Sequence, residues 1–376
     1  GKSYFRRGRN KQDLNTALNL YKESIDLDPD FAIAYTALSR CYMNLYWFRY
    51  DHSQFPLIES EKAIETALRI DPDLPEAYIA KADYYYHGLL EYSKALEQLQ
   101  IASKYVSNHS EISLLSALVY RRMGKWDTAI EEFENAYKGD PTNLRIVGNM
   151  GETYAFAGKY QTGIDYFDKY LILEPDNAEC YGLKLHLNLL MDGNTVKARK
   201  VIEEAAMNNI SPYVISIDAL YTPPFMLDVY DGNYQEALDF LSTTDWAGQM
   251  DVMQYYPKSM FQAMIYELMS IPEKAFAYYD SMRIVLEKNL KEYPEDPRIL
   301  SSLGIAHAGL GEKDKAINYG REAVRLYSLE KDAFLGLNRI EELALIYVMV
   351  EEYSAALEQI EILLSHHGPY SCLLYT

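Results

Sequence analysis

GKWDTAIEEFENAYKGDPTN, residues 124–143, is followed thirty-four residues later by GKYQTGIDYFDKYLILEPDN, residues 158–177. The two stretches share Gly-Lys, an aromatic residue, a small residue, Phe and a closing Pro, whereas the charged residues between these points differ freely. In the first copy Ala129, Phe133 and Ala136 fall at helical spacing, so two small residues and one ring share a face that can receive another helix closely. Upstream, Ala117 and Tyr120 mark a second helical stripe, and Gly124 lies between the stripes where the chain must reverse. The repeating unit reads as a helical hairpin.

The pattern extends over most of the 376 residues. Second-helix triplets read Ala17/Tyr21/Ser24, Ser60/Ile64/Ala67, Ala95/Leu99/Ala102, Gly163/Phe167/Tyr170, Ala275/Tyr279/Met282, Ala316/Gly320/Ala323 and Ala356/Ile360/Leu363. Pro29, Pro72, Pro141 and Pro175, each after Asp or Glu, end hairpins where a helix cannot continue, and Ser107 and Ser328 stand in for Pro in two units. With its 34-residue period, the pattern resembles the tetratricopeptide repeat (TPR). The resemblance implies an all-α fold, an α-α superhelix or solenoid of about ten helical hairpins, with no sheet. Ala129, Ala136, Ala316 and Ala323 are expected to be buried at close helix contacts.

Two departures are informative. Pro29 to Pro72 is longer than the period, and the surplus at residues 44–55 predicts a lengthened first helix or an ordered aromatic loop. Around residues 205–234 the pattern blurs, with Pro212, Pro223 and Pro224 interrupting it. The expected organisation is therefore an array over residues 1–212 and a second over 213–376, meeting at an irregular joint.

Composition narrows the function. Hydrophobic residues make up 49% of the chain and Tyr is abundant at 35, enough for a large core. Acidic residues outnumber basic ones by 55 to 36, for a net charge of −19, so the surface repels a nucleic-acid backbone. The basic run Lys2, Arg6, Arg7, Arg9 and Lys11 reads as a solvated chain end. Cys41, Cys180 and Cys372 are far apart and odd in number, which opposes a disulfide framework and favours a reducing compartment. The longest apolar run, near residues 342–350, is too short to span a bilayer. The missing initiator Met suggests a cut from a longer protein.

No catalytic constellation emerges, and neither an enzyme activity nor a cofactor is expected. The seven histidines form neither HExxH nor a Cys/His cluster; His307 takes an aromatic position of the repeat and reads as core, and His366-His367 as an exposed loop. Gly309-Leu310-Gly311 lacks a following GK[ST] and reads as a hairpin turn. Tyr84-Tyr85-Tyr86 and Tyr255-Tyr256 suggest ring platforms, but most Tyr residues fall at repeat anchors.

Several runs look like the TPR region behind adenylate cyclase, serine/threonine kinase or winged-helix domains of bacterial regulators: YFRRG, AIAYTALSRCY, DPDLPEAY, YRRMGKWDTAIEEF, YYPKSMFQAMIY and EDPRILSSLGIAHAGLG. This resemblance implies a protein-binding or sensory module joined to an output domain outside the present sequence, with a small-ligand receptor as the alternative. In TPR proteins the first helices line the binding wall, which transfers to Arg40, Asn44, Asp83, Tyr86, His87, Arg121, Arg122, Arg145, Asn149 and Glu152. The expected partner is a protein or peptide segment, acidic because Arg121, Arg122 and Arg145 would be solvent-accessible in one concavity.

Overall fold

A computed structural model describes residues 11–106, 110–218 and 222–368. The basic run before Lys11, the YFRRG stretch, Ser107 and Cys372 lie outside the described residues. The chain divides into two compact units, residues 1–141 and 142–376, so the joint expected at 212–213 falls inside the second unit. No described helix is long and apolar enough to cross a membrane.

The first unit holds α1 (Lys11–Leu27), α2 (Ala32–Trp47), α3 (Phe55–Ile70), α4 (Pro75–Asp83), α5 (Tyr92–Ala102), α6 (Ser110–Arg122) and α7 (Trp126–Gly139). Helix α1 packs on α2, and α2/α3, α4/α5 and α6/α7 are antiparallel hairpins. The second unit holds α8 (Leu144–Phe156), α9 (Tyr160–Leu173), α10 (Ala178–Asp192), α11 (Val196–Met207), α12 (Pro212–Asp218), α13 (Met226–Tyr230), α14 (Tyr234–Thr243), α15 (Lys258–Leu268), α16 (Pro272–Glu292), α17 (Pro297–Gly309), α18 (Lys313–Leu326), α19 (Gly336–Met349) and α20 (Tyr353–Ser365). Here α8/α9, α10/α11, α13/α14, α15/α16, α17/α18 and α19/α20 pair. The architecture is an all-α repeat of helical hairpins that includes two short helices, α12 of seven residues and α13 of five.

The repeat anchors do what their spacing requires. Ala129, Ala136, Ala316 and Ala323 are fully buried, as are Ser60, Ala67, Ala95, Ala102 and Tyr279. Small side chains there let paired helices approach, and Phe133 or Phe167 fills the space between them. The turn inside each hairpin needs a left-handed residue. Gly124, Gly158, Gly232 and Gly311 supply it at φ 72–79°, and in each case the next residue donates to a first-helix carbonyl five positions earlier, as Lys125 does to Tyr120. Tyrosine also recurs as a tie between hairpins. The hydroxyls of Tyr35, Tyr78 and Tyr181 donate to the carbonyls of Pro29, Pro72 and Pro175, six residues back, and so fasten each inter-hairpin loop to the next helix.

The surplus at residues 44–55 gives both expected features. Helix α2 runs sixteen residues, and an ordered aromatic loop follows, with Tyr46 stacked on His52 at 4.0 Å and Tyr42 edge-on to Phe55 at 5.9 Å. Helix α4 passes into a π-turn over Tyr84–Leu89.

The expectation of no sheet is corrected. Strands β1 (Gly248–Met250) and β2 (Tyr255–Pro257) form a two-stranded antiparallel ribbon with Gly248 opposite Pro257 and Met250 opposite Tyr255. Three-residue strands are too short to show period-two alternation, so the ribbon has no signature in the sequence pattern.

One close approach is testable. A Cβ on Gly309 would lie 2.2 Å from Cδ2 of Tyr279, which is fully buried and whose hydroxyl donates to Glu267 at 2.8 Å. The ring cannot yield without losing that bond, so Gly309→Ala is expected to destabilise the α16–α17 contact by about 1–3 kcal/mol, despite alanine's better helix propensity. An unchanged denaturation midpoint would contradict this packing.

Candidate interaction surface

Of the ten residues assigned to the first-helix wall, seven lie in the first unit, and most of these converge. Arg40 on α2 reaches Glu111 on α6 at 2.6 Å and lies 3.9 Å from Asp83 at the end of α4. Asp83 in turn meets Nδ1 of His87 at 2.9 Å, one helical turn on. The His87 ring lies 4.8 Å from Trp47 and 4.4 Å from Tyr86, and the Arg122 guanidinium sits over both aromatics, 4.6 Å from Trp47 and 5.5 Å from Tyr86. Arg121 turns instead toward Phe133 at 5.9 Å. Asn44 is half-buried on α2.

This geometry corrects the expected accessibility. Arg121 and Arg122 keep only 4% and 3% of their surface, and Asp83, Tyr86 and His87 are buried as well. The cluster cross-braces three first helices, its charges paired or laid on rings, because a guanidinium loses less hydration than an ammonium when it stacks. In the second unit Arg145, Asn149 and Glu152 are half-buried on one face of α8. The Arg145 amide is capped by Asn143, and Asn149 donates to the Arg145 carbonyl at 2.8 Å.

A third surface escaped the sequence reading. Every residue of α17 from Pro297 to Ala308 is buried, although a first helix of a hairpin stack has one side free of its paired helix. The ribbon tip covers that side. Arg298 donates to the Asp251 carbonyl, Arg339 on α19 donates to the Met253 carbonyl, and Ser302 donates to the Tyr255 carbonyl at 2.6 Å. Tyr256 donates its hydroxyl to Glu342 at 2.8 Å, and Asn289 donates to the Tyr255 hydroxyl at 2.8 Å. The two arginines have further partners: Arg298 holds Asp296 through two bonds of 3.0 and 2.6 Å, and Arg339 holds Glu342 at 2.8 Å. Burial pushes the Glu342 carboxyl up and Arg339 pulls it back. At the base of the ribbon Trp246 and Phe261 pack around Phe225, each 5.4 Å from it.

Asp251 shapes the tip: Oδ1 accepts from the amides of Met253 and Gln254 at 2.7 and 3.0 Å, whereas Oδ2 is shut off from solvent. Burial pushes this carboxyl up to about 6, against the pull of those amides and of Arg298 and Arg339. The folded protein therefore holds the proton more tightly than the unfolded chain, and stability falls as pH rises from about 4 through 6. Asp251→Asn keeps an acceptor for the two amides and removes the titration, so it is expected to stabilise at pH 7 by about 1–3 kcal/mol and to flatten the profile between pH 4 and 7. Denaturation at both pH values measures this, and an equal or lower stability of the variant at pH 7 would contradict it.

Some of the hairpins and their turns fall within matched family models. One model described as tetratricopeptide repeat covers residues 120–187, and a second of the same description covers 88–143 and 280–330. These segments are tetratricopeptide repeats. Among relatives, a TPR repeat-containing protein of Methanocaldococcus jannaschii is 24% identical over 77% of this chain and 46% of its own length. The Protein CTR9 homolog of Arabidopsis thaliana is 23% identical over 75% of this chain and 28% of its own. The chain thus spans less than half the length of either relative. Among solved structures, the human IFIT1 dimer with PPP-AAAA aligns at a TM-score of 0.47 and 17% identity, over 85% of this chain and 70% of that one. TPR repeats are protein-interaction scaffolds, and the three surfaces described all involve first helices of the hairpins.

Proposed function

We propose that this TPR chain is the protein-binding, sensory region of a larger bacterial signalling protein, holding an extended segment of a partner along its first helices and passing that contact to an attached output domain. The resemblance of several runs to TPR regions of bacterial regulators supports the signalling context. The observation that carries the binding reading is the polar face of α8, where Arg145, Asn149 and Glu152 recur at helical spacing and are only partly buried, unlike the apolar face that packs on α9. Arg40 and Asn44 offer similar chemistry on α2. With Arg121 and Arg122 buried and Arg40 paired to Glu111, the reason for an acidic partner falls away, and a polar segment of either charge fits better.

A photo-crosslinking residue at Asn149 of the full-length protein, in the cell that makes it, tests this. It should capture a discrete protein, whereas the same group at Asp165, exposed on the second helix α9, should not. Capture from Asp165 but not from Asn149 would sink the first-helix reading.

A further inference from the structure

Two buried arginines, a serine and a glutamate on α17 and α19 are arranged around a piece of the protein's own main chain. The carbonyls they take are those of Asp251, Met253 and Tyr255, at alternate positions of the ribbon tip, and Glu342 then reads the hydroxyl of Tyr256. Recognition of carbonyls at alternate positions, followed by one side-chain hydroxyl, is how a polar surface holds a peptide with little regard for most of its side chains. Three further observations bear on whether this contact can open. Strands of three residues make an isolated ribbon at best marginal in water. The ribbon is entered through Gly248 at φ 130°, a backbone conformation that glycine adopts without strain. Its departure also leaves no orphaned charge, because Arg298 keeps Asp296 and Arg339 keeps Glu342.

We infer that the α17–α19 face is a peptide-binding site that carries the tip of its own ribbon, residues 251–256, as a displaceable resident, and that it binds a protein partner presenting a tight turn of the same chemistry: an acidic residue that closes the turn, free carbonyls at alternate positions and a tyrosine after it. This deepens the protein-binding reading above and rests on it. The resident and the partner compete, so binding there releases the ribbon, and the released segment is the structural signal.

Two measurements on the full chain decide it. In hydrogen exchange of the unaltered protein, the bonded amides of Asp251, Met253, Gln254 and Lys258 should exchange at least about 10-fold faster than the central amides of α17 and α19, by an opening that leaves the helices protected. A single common rate for ribbon and helices would make the ribbon an inseparable part of the fold and overturn the proposal. In the second, residues 249–256 are replaced by a Gly/Ser linker of equal length, and a fluorescent peptide with the sequence of residues 248–257 serves as the probe. The variant should stay helical and bind the peptide at least about 10-fold more tightly than the unaltered chain, and Tyr256→Phe in the peptide should weaken it. A helical variant that ignores the peptide, or one that loses its helices, overturns the site. Either failure, set beside continued capture at Asn149, would leave the scaffold reading standing without this surface; success here with no capture at Asn149 would move the binding site from α8 to α17–α19.

Discussion

Arg339→Ala is expected to loosen the α17–α19 region by about 3–5 kcal/mol. Arg339 and Glu342 keep 2% and 1% of their surface, so each is the other's main compensation for lost hydration. Removing the guanidinium leaves the Glu342 carboxylate buried beside Tyr256 and takes away the donor to the Met253 carbonyl. The same pair replaced on both sides, Arg339→Met with Glu342→Leu, should recover much of the loss, because no buried charge then stands alone. Exchange rates of the α17 and α19 amides read the effect as a rise of roughly two to three and a half decades in the single variant. A rise below 10-fold would mean that the pair is screened by solvent.

Arg122→Ala should cost the first unit about 2–4 kcal/mol, the reverse of what an exposed groove arginine would do. Its guanidinium fills the space over Trp47 and Tyr86, two rings that also contact His87, so truncation opens a void against them. Arg145→Ala, at a half-buried position on α8, should stay under about 1 kcal/mol. Amide exchange in α2, α4 and α6 of the full chain separates the two cases. Equal effects of the two substitutions would show that the cluster does not brace these helices.

Legibility followed contact order. The Ala/Phe/Ala triplets, the turn glycines and the prolines between hairpins involve neighbours in sequence, and each leaves a residue type that only its local geometry explains: Ala129 for a close helix contact, Gly124 for a left-handed turn. From them the helices and their pairing could be read. Which side of a first helix meets solvent could not be read, because that depends on residues far along the chain. Arg121 and Arg122 look like surface charges until Trp47 and Tyr86, from two other hairpins, are brought over Arg122. Arg298 and Ser302 sit in EDPRILSSLG with the spacing of any polar helix face, and nothing near them announces a ribbon tip forty-seven residues earlier in sequence.

The sequence by itself determined the repeating hairpin, since a 34-residue period of small, aromatic and turn-forming residues fits no other local structure. Only the tertiary structure decided which of its polar residues stay partly exposed, which brace the core and which hold the ribbon. A charged side chain has no preferred side until desolvation and pairing are set against each other, and both are fixed by the elements that stacking brings alongside.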